Sequence, residues 1–290
     1  EKEEEEEEEE EIKIYDKSTY DQNYLQEIHK HIDEKKQFYN ILTEFLENSD
    51  EKKADFTNLN KIININQEGN YQEKFEHFLQ FIASIANNHH RDSKLFHNIF
   101  QILQNYKDQI KQTFSNYEIF DIFKSNKLIL LFLFENKIVT IDEIIYQELV
   151  STIETNGYYC HFFYPELKKF AGDERTKNIK ESLLEQNSTI FDQFDEKRRQ
   201  GVNDAFICSL IRSDSVEQFI QHINKSNIPL SSTIKASIFE TNSFLIENQK
   251  VTLIEYSAFY GSIQIFQYLI LNKVNLTPSL WLYVIHSRNP

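Results

Sequence analysis

Only five glycines and four prolines punctuate a chain of 290 residues. Together they make about 3% of it, against the ~12% usual in proteins. An all-β fold needs turn residues roughly every 8–12 positions, so this scarcity excludes one. Collagen-like and Pro-rich linker sequence are excluded by the same shortage. So is a Gly-rich phosphate loop: neither GxGxxG nor GxxxxGK[ST] occurs. What remains is a helical chain, long enough to bury a sizeable core.

The apolar residues agree. Leu25, Ile28, Ile32, Phe38, Ile41, Leu42, Phe45 and Leu46 recur mainly at three- and four-residue steps, which predicts one helix or a helix pair. A short helix is expected over Asn58–Asn66, then stripes through Phe75, Phe78, Leu79, Ile82 and Ile85, and from Leu95 to Phe114. Ile119–Phe123, Leu128–Phe134 and Ile141–Leu149 read as three short helices split by Ser125-Asn126 and Asn136-Lys137. Leu128–Phe134 is also the longest apolar run, at seven residues. A bilayer span needs about 20, so this run is core. Tyr158–Phe170 holds Pro165 and reads as a junction, and Glu174–Arg199 as one charged helix.

The charge is unevenly spread. Of the formal net charge of -15, the first eleven residues carry -9, as ten Glu and one Lys. Like charges repel and nothing there can be buried, so residues 1–19 are expected to be a disordered acidic tail. The net-acidic balance disfavours nucleic acid as a partner. Two cysteines in no CxxC pair make no disulfide framework, so a reducing, cytoplasmic setting is expected. Met is absent even at position 1, and the chain reads as a fragment or a processed product.

The most specific signal lies in the C-terminal third. Thr252–Leu276 divides into a helix over Leu253–Phe259, a turn at Tyr260-Gly261 and a helix over Ser262–Asn272. The small pair Ser257-Ala258 suits close helix approach, and Gly261 supplies a left-handed residue to end the first helix. Upstream, Asp214-Ser215 stands where Gly261-Ser262 stand, and Val216, Phe219 and Ile220 repeat the apolar pattern that follows. The offset is 47 residues. The intervening stretch 230–250 is expected to be an enlarged hairpin finger or an inserted strand pair. A third unit opens at Thr277-Pro278, with its first helix over Leu280–His286 and its second cut off at Pro290.

Thr252–Leu276 resembles an ankyrin repeat, with Thr252 at the helix-opening Thr, Ser257-Ala258 at the Ala-Ala pair and Gly261 at the inter-helix Gly. It departs at Leu253 and Glu255, where the family has Pro and His, and the 47-residue offset exceeds the usual ~33. Together with Ile85–Asp92, Lys107–Asn126, Gly201–Asp214 and Pro229–Pro290, it is similar to the large ankyrin-repeat family of trichomonad protists. In that family a helical N-terminal region precedes divergent repeats. The resemblance implies an all-α chain: a helical domain over 20–171, then ankyrin-like repeats over 172–290 forming a short helix-pair solenoid.

No chemistry competes with this. His89-His90, with Asp92 and His97, lacks the i, i+4 spacing that metal sites favour. Cys160-His161 are adjacent and cannot face each other as a dyad, and Cys208 sits in an apolar helix run as a small hydrophobe. Lys197, Arg198 and Arg199 are offset at once by Asp195-Glu196. Glu73, Glu76 and Asp92 supply carboxylates for an enzyme in the N-terminal region, yet no spacing singles out a pair. The expected function is a non-catalytic protein–protein interaction scaffold without metal or cofactor, its partner a protein of unknown identity. Aligned on Gly261, the expected binding positions are Gln249, Val251, Phe259 and Tyr260, with Arg212 and Ser213 on the preceding unit. The competing expectation is that the stretch 230–250 folds over Phe259 and Tyr260 and hides them.

Overall fold

The computed structural model describes residues 17–48, 56–63, 71–88, 93–151, 158–248 and 250–287. The acidic tract, His89, His90, Asp92 and Gln249 lie outside them. The described residues are helical and contain no strand; one isolated antiparallel bridge joins Thr233 to Thr252. Residues 1–66 and 67–290 form two compact units.

In the first unit, α1 (Lys17–Asn48) is one helix of 32 residues, not a pair. No Gly or Pro interrupts it, and Gln, Glu and Lys, all favourable in a helix interior, fill about half of its polar positions. Helix α2 (Thr57–Ile63) packs near its C-terminal end, where Leu42 and Leu46 are buried along with Leu59 and Ile63.

The second unit opens with α3 (Tyr71–Asn88), α4 (Ser93–Asn105) and α5 (Lys107–Thr113). Phe75, Phe78, Leu79, Ile82 and Ile85 of α3 are all buried, as their spacing predicts. Phe75 and Phe78 meet Tyr106 edge-on, at 6.1 and 6.0 Å between ring centres. Three short helices follow where the apolar runs place them: α6 (Asn116–Phe123), α7 (Lys127–Glu135) and α8 (Glu143–Ser151). Each start has a local cause. Ser115 and Glu118 form a capping box on α6, and the Asn126 side chain accepts from Ile129 N on α7.

Next come α9 (Tyr158–Phe162), α10 (Tyr164–Arg175), α11 (Lys177–Gln186) and α12 (Phe194–Gln200). The boundary expected between 171 and 172 falls within α10, at Gly172, whose φ of 80° kinks the helix. The single charged helix expected over Glu174–Arg199 is divided among the end of α10, all of α11 and most of α12. Asn187 Oδ1 accepts from both N and Oγ1 of Thr189, at 3.0 Å each, and offers the backbone a turn in place of a further helical step.

The C-terminal part is a stack of helices. Helices α13 (Phe206–Arg212) and α14 (Val216–Ser226) pack on each other, as do α16 (Leu253–Tyr260) and α17 (Ile263–Leu271). Between the pairs, α13 lies on α16 and α14 on α17; α18 (Leu280–Ser287) then lies on the other helix-forming face of α16. The stretch joining the pairs is neither a long finger nor a strand pair. It holds the single bridge, the buried segment Ile238–Asn242 and the short helix α15 (Ser243–Glu247).

The two turns carry the stack. Gly261 has φ 63° and Asp214, its counterpart, φ 48°. The Asp214 carboxylate accepts from Gln264 N and Ile265 N, both at 3.0 Å, so the first turn caps the second pair's outer helix. Ser262 Oγ answers by donating to Ile211 O at 2.6 Å. Replacing Gly261 by Val forces a β-branched residue into the left-handed region. The expected cost is about 1–3 kcal/mol, read as a fall in unfolding free energy by urea titration; an unchanged midpoint would contradict the turn.

Candidate interaction surface

The expected binding residues do not form one exposed face. Phe259 and Val251 are buried, contrary to the exposure expected of them. The insert is the reason: Phe244 of α15 stacks on Phe259 with 6.1 Å between ring centres and 9° between planes, and His286 of α18 lies 5.2 Å away. Tyr260 and Arg212 are half-buried, and the Arg212 guanidinium lies 5.9 Å from the Tyr260 ring centre. Arg212 donates to Asn203 O at 2.7 Å and to Tyr256 Oη at 2.9 Å, so it joins the pairs rather than reaching outward. Ser213 is exposed, and its hydroxyl donates to Ser209 O within its own turn at 3.0 Å.

A contiguous run of exposed apolar side chains lies instead on α18, beside scattered ones such as Leu271, Phe206 and Ile263. Trp281 is 60% exposed, Leu282 36%, Val284 44% and Ile285 64%. At 100° per residue these four cover a contiguous arc of roughly 160°. The opposite side of the helix, with Tyr283 and Ser287, is buried against the stack. Ile270 of α17 adds a further exposed side chain. The four side chains of the arc expose on the order of 400 Å², within the size of the largest apolar patch on a typical monomer. Sequence periodicity missed this face because α18 is apolar nearly all round. A helix of that kind needs cover on every side, and that was the available signal.

An internal comparison shows what this surface lacks. Aligned on Asp214 and Gly261, Phe219 and Ile223 of α14 correspond to Phe266 and Ile270 of α17. Phe219 and Ile223 are buried, with Phe219 edge-on to Tyr268 of the next pair at 6.3 Å. Phe266 is half-buried and Ile270 exposed. Among the described residues, these two positions are buried on the first pair and more open on the second.

The reactive side chains are drawn into structure. All three residues of the basic cluster are paired: Lys197 with Asp204 at 3.3 Å, Arg198 with Glu166 and Asp195 at 2.7 and 2.6 Å, and Arg199 with Glu135 at 2.9 Å. Cys160 and Cys208 are buried thiols outside any disulfide, and burial pushes them up to about 11 and about 12, which suppresses the nucleophilic thiolate. His97 is exposed and hydrogen-bonds Gln101 at 2.9 Å. Among the described residues no three His, Cys, Asp or Glu side chains group to hold a metal ion. No helix there is long and apolar enough to cross a membrane. Glu73 and Glu76 line an open recess of about 580 Å³ with Tyr71 and Gln72, which brings no cation or nucleophile to them.

Lys127 is fully buried at the start of α7. Its Nζ donates to Glu240 O at 3.2 Å and lies over the Tyr159 and Phe162 rings at 5.1 and 5.5 Å. Burial drives it down to about 7, against the pull of Glu240 and Cys160. Burial likewise raises Glu240, whose carboxylate accepts from Asn203 N, Thr241 N and Asn242 N. This contact ties α7 to the insert. The unfolded lysine, near its ordinary 10.5, holds a proton that the folded one sheds above about 7. Its contribution to stability is therefore lowest below pH 7 and rises as the pH climbs to about 10.5. Chemical unfolding of the parent across that window is expected to show a steeper rise than Lys127→Met. Parallel profiles would contradict the burial of a titrating amine.

Comparison with protein-family models, curated proteins and solved structures finds no match to the chain.

Proposed function

We propose that the chain is a non-catalytic protein–protein interaction scaffold, built on ankyrin-like helix pairs and engaging its partner through the exposed face of α18. The observation that carries this reading is the apolar arc of Trp281, Leu282, Val284 and Ile285. A patch of this size with an aromatic at its centre has the composition of an interface core, where charged residues are depleted. The ankyrin-like character is supported by the left-handed turn residues Asp214 and Gly261 and by the caps that pass between the pairs.

The partner is a protein. The net charge of -15 and the pairing of the basic cluster speak against nucleic acid. A cytoplasmic, reducing setting accords with two cysteines outside any disulfide. Within the second unit, the contact of Lys127 with Glu240 ties α7 to the segment between the helix pairs and supports the stack from behind.

The test is affinity capture with the parent chain and with Ile285→Glu, after circular dichroism shows equal helix content and equal melting temperature. A charge at the centre of an apolar interface is expected to abolish capture of specific partners. Retention of every partner would place the binding face elsewhere.

A further inference from the structure

We propose that Thr277 is a phosphorylation site for a proline-directed protein kinase, and that the phosphate it gains loosens α18 from α16.

The sequence offers such a kinase a single residue. Kinases of this class select a hydroxyl residue followed directly by proline, whose ring fixes the backbone and presents no N–H. Of the chain's four prolines only Pro278 follows a Ser or Thr; the others follow Tyr164, Ile228 and Asn289. The fold places Thr277 within reach. It lies in the non-helical link between α17 and α18, where Asn275, Leu276 and Pro278 are exposed and Thr277 itself is half-buried. Its backbone opens α18, with Thr277 O accepting from Leu280 N at 3.1 Å, and that contact does not involve the side chain.

The hydroxyl is where the modification acts. Thr277 Oγ1 donates to Glu255 Oε1 at 2.6 Å, and Ser279 Oγ donates to the same oxygen at 3.0 Å. Glu255 stands in the first turn of α16 and is 4% exposed. Its other oxygen accepts from N and Oγ1 of Thr252, at 2.9 and 2.8 Å. Burial pushes this carboxyl up, but the hydroxyl and N–H donors outweigh burial and hold it below its ordinary value, ionised at neutral pH. All of these donors are neutral groups, so none of them offsets a second negative charge. The bonds from Thr277 and Ser279 join the start of α18 to the start of α16, two helices that pack on each other.

Phosphorylation reverses the sense of the Thr277 contact. Thr277 Oγ1 attacks the γ-phosphorus of ATP held by the kinase. The Oγ1–P bond forms and the bond from that phosphorus to the bridging oxygen breaks. ADP leaves with the electron pair, and the hydroxyl proton passes to a base of the kinase. Oγ1 then has no proton to donate, and the phosphate carries a charge of about -1.5 to -2 at neutral pH. A donor to Glu255 becomes an anion beside it. The N-terminus of α18 draws the phosphate the other way, by the smaller amount that an exposed helix end supplies.

The full chain is treated with a purified proline-directed kinase, Mg²⁺ and ATP, and the modified residue is mapped by peptide mass spectrometry. Phosphate is expected on Thr277 and absent from Thr277→Val. Hydrogen exchange then reads the docking. Backbone amides of α18 are expected to exchange roughly 10- to 100-fold faster after phosphorylation, the range for losing a hydrogen bond to a charged group. Amides of α13 and α14 are expected to keep the parent's rates. Thr277→Val removes the hydrogen bond without adding charge, so its α18 is expected to exchange more slowly than that of the phosphorylated chain. In Glu255→Gln, phosphorylation is expected to change the exchange of α18 less than in the parent. Failure of the kinase to modify Thr277 would overturn the site. Modification with unchanged exchange in α18 would overturn the loosening. A Thr277→Val chain that exchanges as fast as the phosphorylated parent would overturn repulsion as its cause. These readouts follow the docking of α18 and not the capture of a partner, so they stand or fall apart from its reading as a binding face.

Discussion

Arg198→Ala is expected to be among the most damaging single substitutions in the chain, at about 3–5 kcal/mol. The side chain of Arg198 is only 4% exposed. Its Nη1 donates to Phe162 O at 3.0 Å and to Glu166 Oε2 at 2.7 Å; its Nη2 donates to Glu166 Oε1 at 3.0 Å and to Asp195 Oδ1 at 2.6 Å. The guanidinium also lies between the Phe162 and Phe194 rings, at 5.6 and 5.4 Å. Removing it leaves the Glu166 carboxylate, whose side chain is 20% exposed, with no cation and Phe162 O with no donor. The loss is that of an uncompensated polar group rather than of the ion pair's own strength, which desolvation largely offsets. Arg198→Lys is expected to recover little, because a point charge cannot span both carboxylate oxygens and the carbonyl. Denaturant unfolding at neutral pH measures the effect. A loss below about 1 kcal/mol would place Arg198 with ordinary surface pairs.

Phe259→Ala is expected to cost a similar 3–5 kcal/mol. For a chain of this size that corresponds to a fall in melting temperature of roughly 6–20 °C. Phe259 is 1% exposed and enclosed by Phe244, Tyr260 and His286. Truncation opens a cavity bounded by three different elements: the insert, α16 and α18. The outcome separates a core residue from a binding anchor. An anchor variant keeps its melting temperature and loses a partner; a core variant loses the fold of the stack. A melting curve matching that of the parent would return Phe259 to the surface.

The helices were legible because nothing in the sequence competes with them. The three short helices α6 to α8 stand where apolar runs and Ser-Asn breaks place them. The turn at Gly261 was legible because a left-handed residue after a small pair has few substitutes, and Asp214 takes the same conformation at the matching place. Helix α11 was run into α12 because Asn187 carries no sign of its turn until its side chain is seen to accept from Thr189.

The candidate site was read less well, for reasons of distance along the chain. Phe259 and Tyr260 stand at a helix end, where aligned repeats expose them; here a residue of the insert, Phe244, closes over Phe259. Lys127 adjoins the apolar run Leu128–Phe134, and no pattern in the sequence singles it out. Its partner, the Glu240 carbonyl, is 113 residues away in a segment with no periodicity of its own. In α18, local pattern specified an apolar helix and left open which of its sides the fold would cover.

Trp281 gives the most direct test, because it is the chain's only tryptophan and lies on the proposed surface. Its fluorescence in the dilute chain is predicted to be that of a water-exposed indole, red-shifted and open to acrylamide. On association with a captured protein, the emission is predicted to move to the blue and quenching to fall. An associated species whose Trp281 emission and quenching match those of the dilute chain would contradict α18 as the interaction surface.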